Sequence, residues 1–296
     1  MTPLAIHLGL INNMPDSALE ATERQFRTLL FEASCEEEAG RAIRLSLFAL
    51  PEVPRSDKVR RRMSNSYASV SALWDSQLDG LIVTGAEPMA ANLTDEPCWA
   101  GLAQVVDWAQ HNTISSVWSC LAAHAAVLRM DGIERRPLDD KLFGVFECAT
   151  VSEHALTAGI PGRLWMPHSR WNDLSEDALS ACGYRTLTRS KAAGVDAFVK
   201  DCDSLFVFFQ GHPEYEADSL LLEYQRDIRR FLKKEQVSYP ATPHGQFNEE
   251  ANTWRPTAVR FYRNWLRYLL DKKNQGLGYR RIRANSARVE TGDGTL

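Results

Sequence analysis

Thr113-Ile-Ser-Ser-Val-Trp-Ser-Cys-Leu-Ala-Ala-His-Ala-Ala-Val-Leu-Arg129 is the stretch on which the reading of this chain turns. A β-leaning run passes through Cys120 into Ala/Leu-rich, helix-forming sequence, so Cys120 falls at a strand-to-helix joint. A side chain at such a joint is lifted out of the sheet. The first turn of the helix offers free N–H groups and a positive dipole end, which favour anionic sulfur. On its own, Cys120 does not outweigh a buried core cysteine, because free cysteine is among the most buried residue types.

A second stretch shifts the balance. Asp203-Ser-Leu-Phe-Val-Phe-Phe-Gln-Gly-His-Pro-Glu-Tyr-Glu216 sets His212 and Glu214 just past an apolar strand and ahead of an amphipathic helix. A cysteine nucleophile needs a base and the base needs an orienting group; Cys120, His212 and Glu214 fill those three roles.

Working outward, Leu4 to Ile11 reads as a first strand, followed by a helix from about Ala18 to Ala33. Ile43 to Leu50 alternates as a second strand, ended by Pro51 and Pro54, and the basic stretch from Arg55 to Ser66 reads as a solvated loop or helix face. Leu78 to Gly85 is short and apolar, as a buried parallel strand should be, and delivers Thr84-Gly85-Ala86 to its end. Helix-compatible sequence follows from Trp99 to Gln110. This alternation predicts a mostly parallel α/β sheet with helices on both faces, in which ligands bind beyond the carboxyl ends of the strands. Gly85, Cys120 and His212 all fall at predicted strand ends and converge on one rim. A strand pair is expected around Tyr184–Leu187 and Ala197–Lys200, with helices from about Ser219 to Lys234 and Thr257 to Leu270. Ser238 to Arg255 reads as loop. On composition alone Lys141, Ser169, Arg170 and Arg226 are surface polar residues.

The chain has 296 residues, 44% hydrophobic and 24% charged, with net charge −4 and a pI near 6.0. That balance carries no nucleic-acid or membrane signature, and no apolar run approaches the roughly 18 residues of a membrane span. The N-terminus does not read as a signal peptide, so a cytoplasmic location is expected. Six scattered cysteines without a Cys-x-x-Cys pair argue against a zinc site and against a disulfide scaffold. We expect one α/β domain over residues 1–274 and a disordered basic tail over 275–296.

Several ordered blocks resemble one family. They are Asp79-Gly-Leu-Ile-Val-Thr-Gly-Ala86, Lys141-Leu-Phe-Gly-Val-Phe146, Pro167-His-Ser-Arg170, Gly211-His-Pro-Glu-Tyr215, Glu223-Tyr-Gln-Arg-Asp227 and Asn264-Trp-Leu266. Together they resemble the homoserine O-acyltransferases, also called homoserine O-succinyltransferases, which share the flavodoxin-like fold of class I glutamine amidotransferases. The resemblance runs from Leu4 to about Leu270. It implies that Cys120 is the acylated nucleophile, with His212 and Glu214 as the catalytic pair. Lys141 would lie beside the acyl-binding and oxyanion region, and Ser169 and Arg226 would hold the amino-acid acceptor.

The chain also departs from the family pattern. It lacks most of the family's N-terminal extension and adds a longer basic tail. Leu121 stands where an aromatic is common, and His124 where Gln is usual; His124 reads as a packed structural histidine rather than a second base. Met89 occupies the position at which relatives carry Gly or Glu and by which the family chooses its acyl group. Met89 is bulky but uncharged, and Glu87, expected to point outward because an unpaired buried carboxylate is costly, adds no repulsion. The expected donor is therefore succinyl-CoA.

The reaction so implied passes through a Cys120 thioester, with the oxyanion held by the N–H of Leu121 and an N–H of the Gly85-Ala86 turn. It uses acyl-CoA and a hydroxy amino acid as substrates and requires no metal or bound cofactor. Acetyl-CoA as donor, serine as acceptor, a glutamine amidotransferase activity and a non-catalytic binding role stand as alternatives. The oligomeric state is open, with a homodimer among the expectations.

Overall fold

The computed structural model describes residues 5–35, 42–235, 239–244 and 252–276. The expected tail beyond 276, with Arg280, Arg281, Arg283 and Arg288, lies outside them, as does part of the loop between 238 and 255.

The first half of the chain alternates strand and helix. β1 (Ile6–Ile11), α1 (Leu19–Cys35), β2 (Ile43–Phe48), α2 (Asp57–Met63), β3 (Tyr67–Ala68), α3 (Val70–Trp74) and β4 (Gly80–Val83) lead to α4 (Trp99–Asn112), β5 (Ser115–Ser119) and α5 (Leu121–Asp131). All five residues of β5 and all four of β4 are buried, as expected of central strands covered on both faces. One departure lies in the basic stretch after Pro54. Arg55 donates to the carbonyls of Met14 and Asn12 and faces Asp16, so its side chain is buried; only α2 beyond it presents a solvated face.

The second half is built differently. β6 (Arg136–Thr150) and β7 (Arg163–Asp173) form a long antiparallel ribbon. After α6 (Glu176–Ala181) come β8 (Arg185–Ser190), β9 (Gly194–Asp201) and β10 (Leu205–Phe209), then α7 (Ser219–Leu232) and α8 (Arg255–Asn274). The ten strands form one sheet in the order β3-β2-β1-β4-β5-β10-β9-β8-β6-β7. Every pair from β3 to β10 is parallel, and every pair from β10 to β7 is antiparallel. The mostly parallel sheet of the sequence reading is therefore present, with an antiparallel extension grafted onto one edge.

Each face of the sheet packs its own core. One holds Trp118, Phe206 and Phe208 against α4 and α5; the other holds Phe209, Val117 and Ile82 against α1 and α8 through Phe26, Tyr262 and Trp265. This double burial fixes where β5 and β10 end. Ser119 lies opposite Phe209 in the parallel ladder, so the residues following each strand emerge side by side. Among the described residues, no helix is long and apolar enough to cross a membrane.

Candidate active site

Cys120 sits between β5 and α5 with φ 52° and ψ −115°, a conformation that L-residues rarely adopt. Two backbone hydrogen bonds hold it there: its N–H donates to Phe209 O at 2.8 Å, and its carbonyl accepts from His124 N–H at 3.2 Å. The strand-to-helix turn so made is a nucleophile elbow, which aims the side chain out of the sheet beside the first N–H groups of α5.

His212 follows β10, and its N–H donates to Pro167 O at 2.8 Å. Nδ1 lies 2.9 Å from Glu214 Oε1, and the Tyr215 ring stacks on the imidazole at 4.3 Å. Nε2 meets no described group in hydrogen-bonding geometry, while the Cys120 thiol lies near enough to act on the ring. Burial opposes charge on His212, but the Glu214 carboxylate and then Cys120 outweigh it and hold the imidazole well above its ordinary pKa.

Gly85 completes this part of the site. A Cβ there would lie 3.1 Å from Leu121 N and 3.2 Å from Ser119 O, so a side chain would push the two turns apart by a few tenths of an ångström and glycine suits their close approach. The Thr84 hydroxyl ties the turn down, donating to Gly85 O and accepting from Asn13 N–H.

Facing these groups is a wall of paired charges. Glu223, Arg226, Asp227 and Arg230 recur at i, i+3, i+4 and i+7 along α7, which places them on one face of the helix. Lys141, 9% exposed on β6, reaches Asp227 at 2.8 Å and lies over the Phe143 ring at 4.3 Å. Burial would raise the Asp227 pKa, but Lys141 and then Arg226 hold it below its ordinary value. The Ser169 hydroxyl donates to Glu223 at 2.5 Å, and the Tyr215 hydroxyl donates to the other Glu223 oxygen. Arg226 donates to Asp227 at 3.0 Å.

One cavity of about 500 Å³ is lined by Cys120, Leu121, Gly85, Ala86, His212, Glu214, Lys141, Ser169 and Arg226 together. Met89 is not among its lining residues. It is 66% exposed and borders an adjoining hollow with Glu96 and Cys98. The expectation for Glu87 is corrected as well: it lines the main cavity and is ion-paired with Arg230, which lowers its pKa through that hydrogen bond. A carboxylate that brings its own cation avoids the cost of unpaired burial.

Lys141 and Arg170, which composition alone left on the surface, are both buried. Arg170 donates to Asn172 O, Ala193 O and Asp173 in the wall of the cavity. His124 is the packed histidine expected from its helical position. It pairs with Gln210 at 2.9 Å, and burial pushes its pKa down to about 4. Sequence reasoning did not single out Tyr215, Gln210, Glu223 or Arg135. The spacing of charges along α7 carried a readable signal for Glu223. Nothing local marked the others.

The chain has a class I glutamine amidotransferase-like α/β fold, with its strand-end cysteine at the rim of the sheet. It is similar in structure to a glutamine amidotransferase from Thermotoga maritima, with TM-score 0.51 and 12% identity over 90% of this chain and 97% of that one. The chain belongs to the homoserine O-succinyltransferase family, whose model matches residues 2–275. It is 52% identical over 245 residues to the homoserine O-succinyltransferase of Rhodopseudomonas palustris, and 50% identical over 246 residues to that of Methylorubrum extorquens. Each alignment covers 83% of this chain and 72% of the relative. The chain is accordingly an acyltransferase.

Proposed function

We propose that the protein transfers a succinyl group from succinyl-CoA to the γ-hydroxyl of homoserine through a thioester on Cys120, the committed step towards methionine. The observation that carries this reading is one cavity in which a Cys-His-Glu set faces a stripe of paired charges. Homoserine is a zwitterion, and a wall bearing Arg226 beside Glu223 and Asp227 offers a cation for its α-carboxylate and anions for its α-ammonium.

In the first half-reaction Cys120 Sγ attacks the thioester carbonyl with its proton held on His212. The oxyanion is received by the N–H of Leu121 and an N–H of the Gly85-Ala86 turn. Collapse of the tetrahedral intermediate breaks the carbonyl carbon–sulfur bond to coenzyme A, whose sulfur takes the proton from His212. In the second half-reaction the homoserine hydroxyl gives its proton to His212 as its oxygen attacks the Cys120 thioester. Cys120 then leaves as thiolate and O-succinylhomoserine is released. Glu214 holds the imidazole in one orientation throughout, as the third member of such a triad does. The route uses no metal and no bound cofactor.

Intact-mass spectrometry after mixing the full chain with succinyl-CoA or acetyl-CoA tests the proposal. A succinyl adduct on Cys120 that homoserine discharges is the expected result. An acetyl adduct alone, or a succinyl adduct that homoserine leaves in place, would overturn it.

A further inference from the structure

Succinyl differs from acetyl by a terminal carboxylate, so a cavity that selects succinyl must supply a cation for it. Five cationic side chains border the cavity. Four are held by a carboxylate at hydrogen-bonding distance: Lys141 by Asp227, Arg170 by Asp173, Arg226 by Asp227, and Arg230 by Glu87. Arg135 differs. Its nearest carboxylate, Glu96, lies at 3.6 Å, and both Glu96 oxygens already accept the backbone N–H groups of Met89 and Ala90. The Arg135 side chain is only 6% exposed, and its Nε–H is buried with no hydrogen-bond partner among the described residues. An arginine so placed keeps donor capacity that its surroundings do not use, and a planar fork of this kind suits a carboxylate.

Arg135 is also tied to the segment in which the acyl choice was expected. Its Nη2 donates to Ala90 O at 2.8 Å and to Ala91 O at 3.0 Å, and Glu96 holds the same turn from within. Met89, on that turn, is largely exposed and borders the adjoining hollow rather than the main cavity. The backbone of the turn thus holds the guanidinium, while the Met89 side chain does not line the main cavity. Arg135 and Cys120 line the same cavity, as a group reading the far end of an acyl chain on that sulfur must.

We infer that Arg135 is the specificity-determining residue for the acyl group: its guanidinium receives the terminal carboxylate of a dicarboxylic acyl donor, and the Glu96-clamped turn fixes its position. This rests on the succinyl transfer proposed above. The test compares kcat/KM for succinyl-CoA with that for butyryl-CoA, which has the same chain length and no carboxylate, at saturating homoserine. In Arg135→Gln the value for succinyl-CoA should fall roughly 10- to 100-fold, the size of one charge-assisted hydrogen bond, while butyryl-CoA changes less than threefold. Arg135→Lys keeps the charge, perturbs folding least, and should fall less than Arg135→Gln, again on succinyl-CoA alone. Equal losses with both donors in either variant would make Arg135 a structural residue and overturn the inference, as would no loss with either. Wild-type enzyme that fails to turn over succinyl-CoA at all would instead remove the reaction on which the inference rests.

Discussion

The two halves of the sheet divide the labour of the site. The parallel half, β3 to β10, ends in the groups nearest the chemistry: Gly85 after β4, Cys120 after β5 and His212 after β10. The antiparallel half supplies the groups that surround a substrate: Lys141 from β6 and Ser169 from β7, which meet the charged face of α7, and Arg170 from β7, which pairs with Asp173 in the cavity wall. Reactive groups are held by backbone geometry at strand ends, whereas binding groups are held by one another through ion pairs. Mutations in the two halves should therefore fail in different ways.

The largest expected effect is in the parallel half. Cys120→Ala should abolish the acyl-enzyme and lower turnover by ~10⁴-fold or more, with little change in melting temperature, because its side chain lines a cavity rather than a core. Acylated mutant protein in the mass spectrum would break the assignment. Glu214→Gln should lower kcat by about 10²- to 10⁴-fold while some Cys120 acylation persists, since it orients the base without taking the proton. Loss of folded protein by circular dichroism would mark Glu214 as structural instead.

In the antiparallel half, Lys141→Ala should cost stability as well as substrate affinity. It leaves Asp227 buried with Arg226 as its remaining cation, and about 3 kcal/mol is expected, the low end for a broken buried pair. Chemical denaturation reads this directly; an unchanged midpoint would mean that the pair contributes nothing. Gly211→Ala probes the seam between the halves. An added Cβ would lie 2.6 Å from Asp196 Oδ1 and 2.5 Å from Met166 Cγ, forcing the turn before His212 to shift. A fall in kcat of about 10²-fold with KM nearly constant is expected; a change in KM alone would place the strain on the binding side.

The smallest effect is a pH dependence. The His212 pKa is raised in the folded protein, so its contribution to stability is complete below the unfolded value of about 6.5. That contribution is lost as pH rises through the folded pKa. The stability gap between wild type and His212→Gln should accordingly narrow as the pH is raised above about 6.5; a gap that widens would contradict this.

The same division explains what could be read from sequence. The elbow at Cys120 was legible because a strand, a turn and a helix follow one another within 17 residues. The rim at Gly85 and His212 was legible because buried parallel strands are short and apolar. The β6–β7 ribbon was not recognised, for Pro137, the charged run Asp139-Asp140-Lys141 and a register shift between Pro137 and Leu142 erase its alternation. With the ribbon hidden, Lys141 and Arg170 looked like surface residues. Arg55 was missed for a related reason: its main-chain partners are carbonyls 41 and 43 residues earlier, which leave no pattern around it. Met89 was aligned with the position of interest, but alignment gives no direction to a side chain, and here it faces outward.

The place of β10 in the sheet sets an order of assembly. This strand is inserted between β5 and β9, and its last residue supplies the carbonyl that fixes the N–H of Cys120. During synthesis Cys120 is joined to the chain 89 residues before Phe209, so the elbow has no partner over that length of elongation. The thiol therefore cannot acquire its working geometry on a nascent or prematurely ended chain, and an acyl donor meets an assembled nucleophile only once the base that serves it has nearly been translated too.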